Sequence, residues 1–101
     1  MSRYRMDDGT VVNTSNASNS WEEDTTWNGN NYISVATREF GNHETLYMSR
    51  KERYYLEHKS QFQRRLPWAE WISNQRAAAW LLANNHEVPE DLLAAADEVS
   101  E

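Results

Sequence analysis

The stretch that decides the fold is residues 44–58, ETLYMSRKERYYLEH, in which two strand-like segments flank a charged turn. Side chains alternate between the two faces of a strand, so Leu46 and Met48 share one face of the first segment. By the same rule, Tyr54 and Leu56 share one face of the second segment. We therefore expect two neighbouring strands, each with an apolar face.

Further segments extend this pair into an antiparallel meander. Short runs rich in β-branched and aromatic residues predict four strands, at residues 32–37, 44–49, 53–58 and 68–72. Residues 40–43 are predicted to form a loop. Trp68 and Trp71 point to opposite faces of the last strand, so at least one of them is expected outside the main core.

A hairpin is predicted near the N-terminus. Asp8-Gly9 separates two short β-compatible runs, residues 4–6 and 10–12, and Asp-Gly in such a position is a strong local hairpin signal.

Residues 13–31 are rich in asparagine and are predicted to connect the hairpin to the meander. They are compatible with a short helix from Ser15 or Ser18 through Asp24, because acidic residues behind a serine N-cap suit the positive end of a helix. Residues 28–31 predict a turn.

After residue 72 the apolar residues take helical spacing. Ser73 is a good N-cap for a helix over residues 74–83, and Pro89 opens a second helix at its first position. The side chains expected to face inward in the first helix are Ala77, Ala78, Leu81 and Leu82. The apolar stripe expected in the second helix is Leu92, Leu93, Ala96 and Val99. We expect the two helices to pack as a pair on one sheet face.

These elements predict a single α+β domain over residues 1–101. It consists of a hairpin with an Asn-rich connection (1–31), a β-meander (32–72) and a helix pair (73–99). A chain of 101 residues has room for one domain, and 12% aromatic residues are enough to fill a core of that size. No cysteine is present, which excludes disulfides and thiolate metal sites.

The sequence also indicates where the protein works. No apolar run is long enough to cross a membrane, and the first residues lack the apolar stretch of a secretory signal. We therefore expect a cytoplasmic protein that makes no contact with membranes.

Catalytic and metal-binding signatures are lacking. His43, His58 and His86 are at least fifteen residues apart, and no H-x-x-x-H pair is present. We found no nucleophile motif and no Gly-rich phosphate loop. We therefore predict a protein that is not an enzyme and uses no metal and no cofactor, with surface or capping roles for the three histidines.

Charge is strongly segregated along a chain whose net charge is -6. Residues 77–101 carry six acidic residues and no basic one, and they recur on the polar side of the last predicted helix. This acidic stripe consists of Glu87, Glu90, Asp91, Asp97, Glu98 and Glu101. Rows of carboxylates can imitate a phosphate backbone, whereas an ordinary solvated helix face is the simpler interpretation.

Residues 50–65 are the basic counterpart, with six basic residues against two acidic ones. A candidate nucleic-acid patch comprises Arg50, Lys51, Arg53, Tyr55, Arg64 and Arg65. Cations that meet phosphates and aromatic faces that stack on bases are what single-strand binders use. If the strand face with Arg53 and Tyr55 is exposed, it is a stacking patch; otherwise it is an ordinary solvated face beside a core that contains Tyr54 and Leu56.

Several segments resemble a set of small acidic proteins encoded by bacteriophages, plasmids and integrative elements, usually left without a described function. The segments are 8–12 (DGTVV), 27–34 (WNGNNYIS), 46–55 (LYMSRKERYY), 69–73 (AEWIS) and 78–82 (AAWLL). One departure is Glu52, where the resemblance implies glycine in the turn. The resemblance provides no catalytic residues and implies a setting in the bacterial cytoplasm, on a mobile element.

Two functional hypotheses follow. The first is a non-enzymatic interaction protein that blocks a host nucleic-acid-handling defence system, of the anti-CRISPR or anti-restriction type, through its acidic stripe and with exposed Trp or Tyr anchors. The second is a small accessory protein that binds single-stranded nucleic acid through residues 50–65. An uncovered sheet face carrying Trp or Tyr would also favour a homodimer.

Overall fold

The computed structural model describes residues 3–27, 29, 32–34, 42–60 and 66–99. The strands in these ranges are β1 (Arg3–Arg5), β2 (Val11–Asn13), β3 (Asn19–Glu22), β4 (Thr25–Trp27), β5 (Tyr32–Ser34), β6 (Asn42–Met48), β7 (Tyr54–Ser60) and β8 (Trp68–Trp71). The helices are α1 (Asn74–Ala83) and α2 (Leu93–Val99), with short 3₁₀ turns at Thr14–Asn16 and Glu90–Leu92. This confirms the predicted α+β class, with an N-terminal hairpin, an antiparallel meander and a C-terminal helix pair.

The centre of the fold is a four-stranded antiparallel sheet in the order β3-β6-β7-β8. Leu46 lies opposite Leu56, as the alternation of residues 44–58 predicts. The turn between β6 and β7 closes with a hydrogen bond from the Ser49 N–H to the Arg53 carbonyl, 2.7 Å long. Within it, Glu52 has φ = 62°, a left-handed conformation that glycine adopts more easily. The turn thus has the geometry that a glycine would favour, although the residue is glutamate.

The helix pair covers one face of this sheet. Leu46, Tyr54 and Leu56 pack there against buried side chains of both helices, including Leu81. The hydroxyl of Ser73 accepts a hydrogen bond from the Arg76 N–H at 3.1 Å, which confirms the predicted N-cap of α1.

The β1–β2 hairpin covers the opposite face. Tyr4, Met6 and Val12 pack on Tyr55 and Ala69 in a second buried cluster. The sheet face whose exposure would favour a homodimer is therefore covered by the chain itself.

A buried carboxylate lies in this second layer. Glu57 is 2% exposed and accepts a 2.6 Å hydrogen bond from the Tyr4 hydroxyl. Lys59 Nζ lies 3.5 Å from its other oxygen. The buried carboxyl group is thus hydrogen-bonded, as burial of a polar group requires.

The predicted short helix through Asp24 is wrong. Residues 19–22 form β3, which pairs with β6 so that Trp21 lies opposite Leu46, with its ring centroid 6.0 Å from that of Tyr54. The Ser18 hydroxyl, expected to cap a helix, lies instead within hydrogen-bonding distance of the Met48 and Ser49 carbonyls, at 3.3 and 3.1 Å. Pairing with a distant strand and the partial burial of Trp21 against the core outweigh a weak local preference for helix.

Other boundaries also differ. β5 pairs with β4 in a separate two-stranded sheet rather than with the meander. His43, predicted in a loop, lies in β6. Residues 35–41 and most of the predicted turn at 28–31 lie outside the described residues.

Most of the residues predicted to face inward in the helices are buried, but Leu82 and Leu93 are not. Leu82 is 43% exposed, and Trp80 is buried in its place. Leu93 is 51% exposed, and Ala95 is buried. The predicted single helix from Pro89 is a 3₁₀ turn followed by α2, and this change of winding moves Leu93 away from the core.

Candidate functional site

A cleft of about 560 Å³ lies between the hairpin and the turn that joins β6 to β7. It is lined by polar, basic, aromatic and aliphatic residues from separate parts of the chain: Thr10, Val11, Val12, Asn13, Asn16, Ala17, Ser49, Arg50, Lys51, Arg53, Tyr55 and Trp71. We call this feature the basic cleft. Its volume is within the range of roughly 300–1,000 Å³ typical of small-ligand pockets.

Arg53 has a defined position in the basic cleft. Its guanidinium carbon lies 3.8 Å from the centroid of the Trp71 ring, a cation–π contact. Its Nη1 atom lies 3.5 Å from Asp8 Oδ2, and the Trp71 indole N–H donates to Asp8 Oδ1 at 3.3 Å. Asp8 thus orients both the cation and the ring beneath it.

The Asp8 carboxylate stays ionised. A hydrogen bond from the Thr10 N–H is the largest cause that lowers its pKa to about 2, and contacts with Trp71 and Arg53 lower it further. Asp8 therefore keeps its negative charge at any pH at which a cell functions.

The structure brings Arg50, Lys51 and Arg53 of the predicted nucleic-acid patch together. Arg50 and Lys51 are exposed, and neither forms an ion pair with another described residue. The other two cations of that patch, Arg64 and Arg65, lie outside the described residues.

Tyr55 was predicted to lie either in an exposed stacking patch or on an ordinary solvated strand face, and both predictions are wrong. Its side chain is 1% exposed, stacked on Tyr47 at 5.2 Å and edge-on to Trp71 at 5.6 Å. Burial, with Tyr47 and Glu57 nearby, raises its pKa to about 12. Because the hairpin covers this face of β7, Trp71 and not Tyr55 is the aromatic residue under Arg53.

The acidic stripe forms a second candidate site. Five of its members are exposed, namely Glu87, Glu90, Asp91, Asp97 and Glu98, and Glu101 lies outside the described residues. We call these five residues the acidic surface. Asp91 accepts a hydrogen bond from the Tyr54 hydroxyl at 3.2 Å, and Glu98 accepts one from the Gln75 amide at 2.9 Å.

A third cluster was not found from the sequence. His58 on β7 lies between two carboxylates, with its Nδ1 atom 3.1 Å from Glu44 on β6 and its Nε2 atom 2.7 Å from Glu70 on β8. Arg76 binds the other oxygen of Glu70 at 3.1 Å, and the Trp80 indole N–H donates to Glu44 at 3.1 Å. The antiparallel register, which places Glu44 directly opposite His58, is the signal that could have revealed the pair.

The two carboxylates of this cluster favour the charged form of the His58 imidazole. Burial lowers the pKa of His58, but hydrogen bonds to Glu44 and Glu70 outweigh burial, and the net shift is upward from 6.5. Burial likewise raises the pKa of Glu44, but hydrogen bonds from His58 and Trp80 outweigh it, and the net shift is downward. Both ring nitrogens lie within hydrogen-bonding distance of a carboxylate, so neither is open to a substrate.

We expect the stability of the fold to depend on pH through this cluster. The raised His58 pKa gives a stabilisation that is complete below 6.5 and is lost as pH rises through the folded-state pKa. The lowered Glu44 pKa gives a second stabilisation, which is complete above pH 4.5 and is lost as pH falls through the folded-state pKa. The free energy of unfolding in urea should therefore decline above pH 6.5 in the natural protein. In His58→Gln, which cannot titrate, that part of the decline should disappear; an unchanged decline would contradict the prediction.

The remaining site chemistry is limited. Within the described ranges, no group of three or more His, Asp or Glu residues could hold a metal ion, since His58 presents its two nitrogens to carboxylates on opposite sides of the ring. Trp68 stacks on His58 with ring centroids 4.2 Å apart and is 53% exposed.

None of the described helices has both the length and the apolar character needed to cross a membrane.

No protein-family model matches this chain, and no match was found among curated proteins or solved structures.

Proposed function

We propose that this protein is a non-enzymatic interaction module that binds a basic groove of a host protein through its acidic surface. The observation that carries the proposal is the uncompensated charge of residues 87–98. All five carboxylates are exposed, and within the described part of the chain none takes part in an ion pair. Residues 77–99 contain no basic residue that could neutralise them.

Such a surface suits a protein that normally binds nucleic acid. A groove built to accept phosphates presents Lys and Arg side chains, and an unpaired row of carboxylates is electrostatically complementary to it. Complementary charge accelerates association and excludes partners whose surfaces are acidic.

An apolar anchor lies within the acidic surface. Leu93 follows Glu90 by three positions and precedes Asp97 by four, and its side chain is 51% exposed. Protein interfaces combine an apolar centre with a polar rim, so Leu93 is well placed to be buried by a partner. Trp68 is also half exposed and is a second candidate anchor, although it lies on the sheet rather than on the helices.

The proposal also includes a biological setting. The resemblance to small acidic proteins of phages and mobile elements supports a role in the cytoplasm against a host defence complex. A CRISPR effector or a restriction enzyme has the basic nucleic-acid groove that this surface would occupy.

The acidic surface is tested by a matched pair of triple variants, both of which change the net charge by three. Glu90→Gln, Asp97→Asn and Glu98→Gln remove charge from the acidic surface, whereas Asp7→Asn, Glu22→Gln and Glu52→Gln remove it from exposed positions elsewhere. Pull-downs from nuclease-treated bacterial lysate, read by mass spectrometry, should give a nucleic-acid-handling host protein with the natural chain and the control. The acidic-surface variant should lose it, because complementary charge carries the contact.

Retention of the same host protein by the acidic-surface variant would refute the mechanism. The defence role has a separate readout, the plating efficiency of phage on hosts that carry defined CRISPR or restriction systems. Expression of the natural chain should restore plating, and expression of the acidic-surface variant should not. If no system is inhibited although the host protein still binds, the interaction stands and the defence role is wrong.

A further inference from the structure

The basic cleft is separate from the acidic surface and has its own chemistry. It lies on the hairpin side of the sheet, whereas the acidic surface lies on the helix side. Its concave wall combines hydrogen-bonding side chains such as Asn13, Asn16 and Ser49 with three cations. Concave shape together with convergent polar groups is what distinguishes a ligand site from an ordinary charged surface.

The charge of the basic cleft selects an anion. Arg50, Lys51 and Arg53 line it, while Glu52, next to them in sequence, is exposed and is not part of the lining. Asp8, the nearest carboxylate to Arg53, already accepts hydrogen bonds from Thr10, Trp71 and Arg53. Within the described residues neither Arg50 nor Lys51 forms an ion pair, so their charges are available to a phosphate.

The position of Arg53 selects a planar group. One side of its guanidinium rests on the Trp71 ring, and the side chain is still 52% exposed. Arginine planes stack on unpaired bases, and a guanidinium already held by an aromatic ring and a carboxylate loses little freedom on binding. The arrangement thus offers a stacking surface next to two phosphate-binding cations.

We propose that the basic cleft binds a nucleoside phosphate unit of single-stranded nucleic acid, with the base stacked on Arg53 and the phosphates at Arg50 and Lys51. This narrows the sequence-based patch at residues 50–65 to one turn and replaces Tyr55 by the Arg53–Trp71 pair. Duplex DNA is a poorer ligand because its bases are stacked on each other and offer no free face to Arg53.

The affinity should be modest and dependent on salt. For single strands, the logarithm of the binding constant falls with the logarithm of salt concentration by about 0.7 per phosphate contacted. Two or three contacts predict a slope of about -1.4 to -2.1. A steeper slope would require cations beyond the basic cleft.

The test is fluorescence anisotropy with a labelled oligothymidylate of about ten nucleotides, in DNA and RNA form, at low salt. Arg50→Gln with Lys51→Gln should weaken binding about tenfold or more and flatten the salt slope. Arg3→Gln with Arg5→Gln removes two exposed cations of β1 that do not line the cleft, and it should leave affinity nearly unchanged. Arg53→Lys keeps the charge but not the plane, and should weaken binding about fivefold or more.

Three results would overturn the proposal. One is no anisotropy change with the natural chain at low salt. Another is equal weakening by the two double variants, which would mean diffuse attraction rather than a site. The third is competition by free thymidine monophosphate at the affinity of the oligonucleotide, which would assign the cleft to a nucleotide instead of a strand.

This inference does not rest on the proposed function. The acidic-surface triple variant should bind the oligonucleotide at least as tightly as the natural chain, because it removes three repelling charges. Failure of one proposal is therefore distinguishable from failure of the other.

Discussion

Replacing Leu81 by alanine is expected to lower the free energy of unfolding by about 2–5 kcal/mol. Leu81 is fully buried in α1 and packs in the core between the sheet and α2. The truncation removes apolar contacts on both sides and leaves a cavity that two layers of structure would have to close. In a domain of about 100 residues, each kcal/mol corresponds to roughly 4–8 °C in the melting temperature. Thermal and urea unfolding would both report the loss.

The neighbouring residue provides the control. Leu82 lies on the same helix and loses the same atoms on truncation, but it is 43% exposed. Leu82→Ala should lower the free energy of unfolding by well under half as much as Leu81→Ala, because much of the Leu82 surface is already in water. Equal costs would show that α1 presents a different face to the sheet.

Replacing His58 by alanine is expected to cost about 2–3 kcal/mol, somewhat less than the roughly 3–5 kcal/mol for breaking a fully buried ion pair. The side chains of His58, Glu44 and Glu70 are 18%, 15% and 23% exposed, so water screens them only in part. The substitution leaves two carboxylates near each other without the cation between them. Urea unfolding at pH 6, where the His58 contribution is largest, is the measurement.

Two further variants identify the cause of that loss. Adding Glu44→Gln to His58→Ala should recover part of the stability, since it removes one of the repelling charges and keeps an oxygen that accepts from the Trp80 N–H. His43→Ala should cost under about 1 kcal/mol, because His43 is 45% exposed and pairs with a single carboxylate, that of Glu23. No recovery in the double variant would mean that His58 acts by packing on Trp68 rather than by charge.

Local rules predicted the elements whose cause is local. The Asp8-Gly9 hairpin, the Ser73 cap and the alternation around Leu46 each depend on residues within a few positions of one another. β3 was missed because its reason for being a strand is Trp21 opposite Leu46, twenty-five positions away. The inward face of the second helix was partly wrong because the 3₁₀ turn at Glu90–Leu92 changes the angle per residue, which a fixed helical period does not allow for.

The difference between local and long-range causes also explains which residues of the candidate sites could be predicted from the sequence. Arg50, Lys51 and Arg53 were predicted together because one turn holds them. Trp71 and Asp8 were not assigned to that site, since they reach it only through the packing of hairpin on sheet. The cluster around His58 needs the register of three strands at once, and spacing along the chain does not contain it.

The helix pair and the hairpin, which cover opposite faces of the central sheet, carry different surface charge. The acidic surface lies on the helix side of the sheet, and the three cations of the basic cleft lie on the hairpin side. At physiological salt, charges farther away than about 8 Å are largely screened, so an approaching molecule responds to the side it meets and not to the total of -6. The same chain should thus adhere to both cation- and anion-exchange resins, each time by a different end.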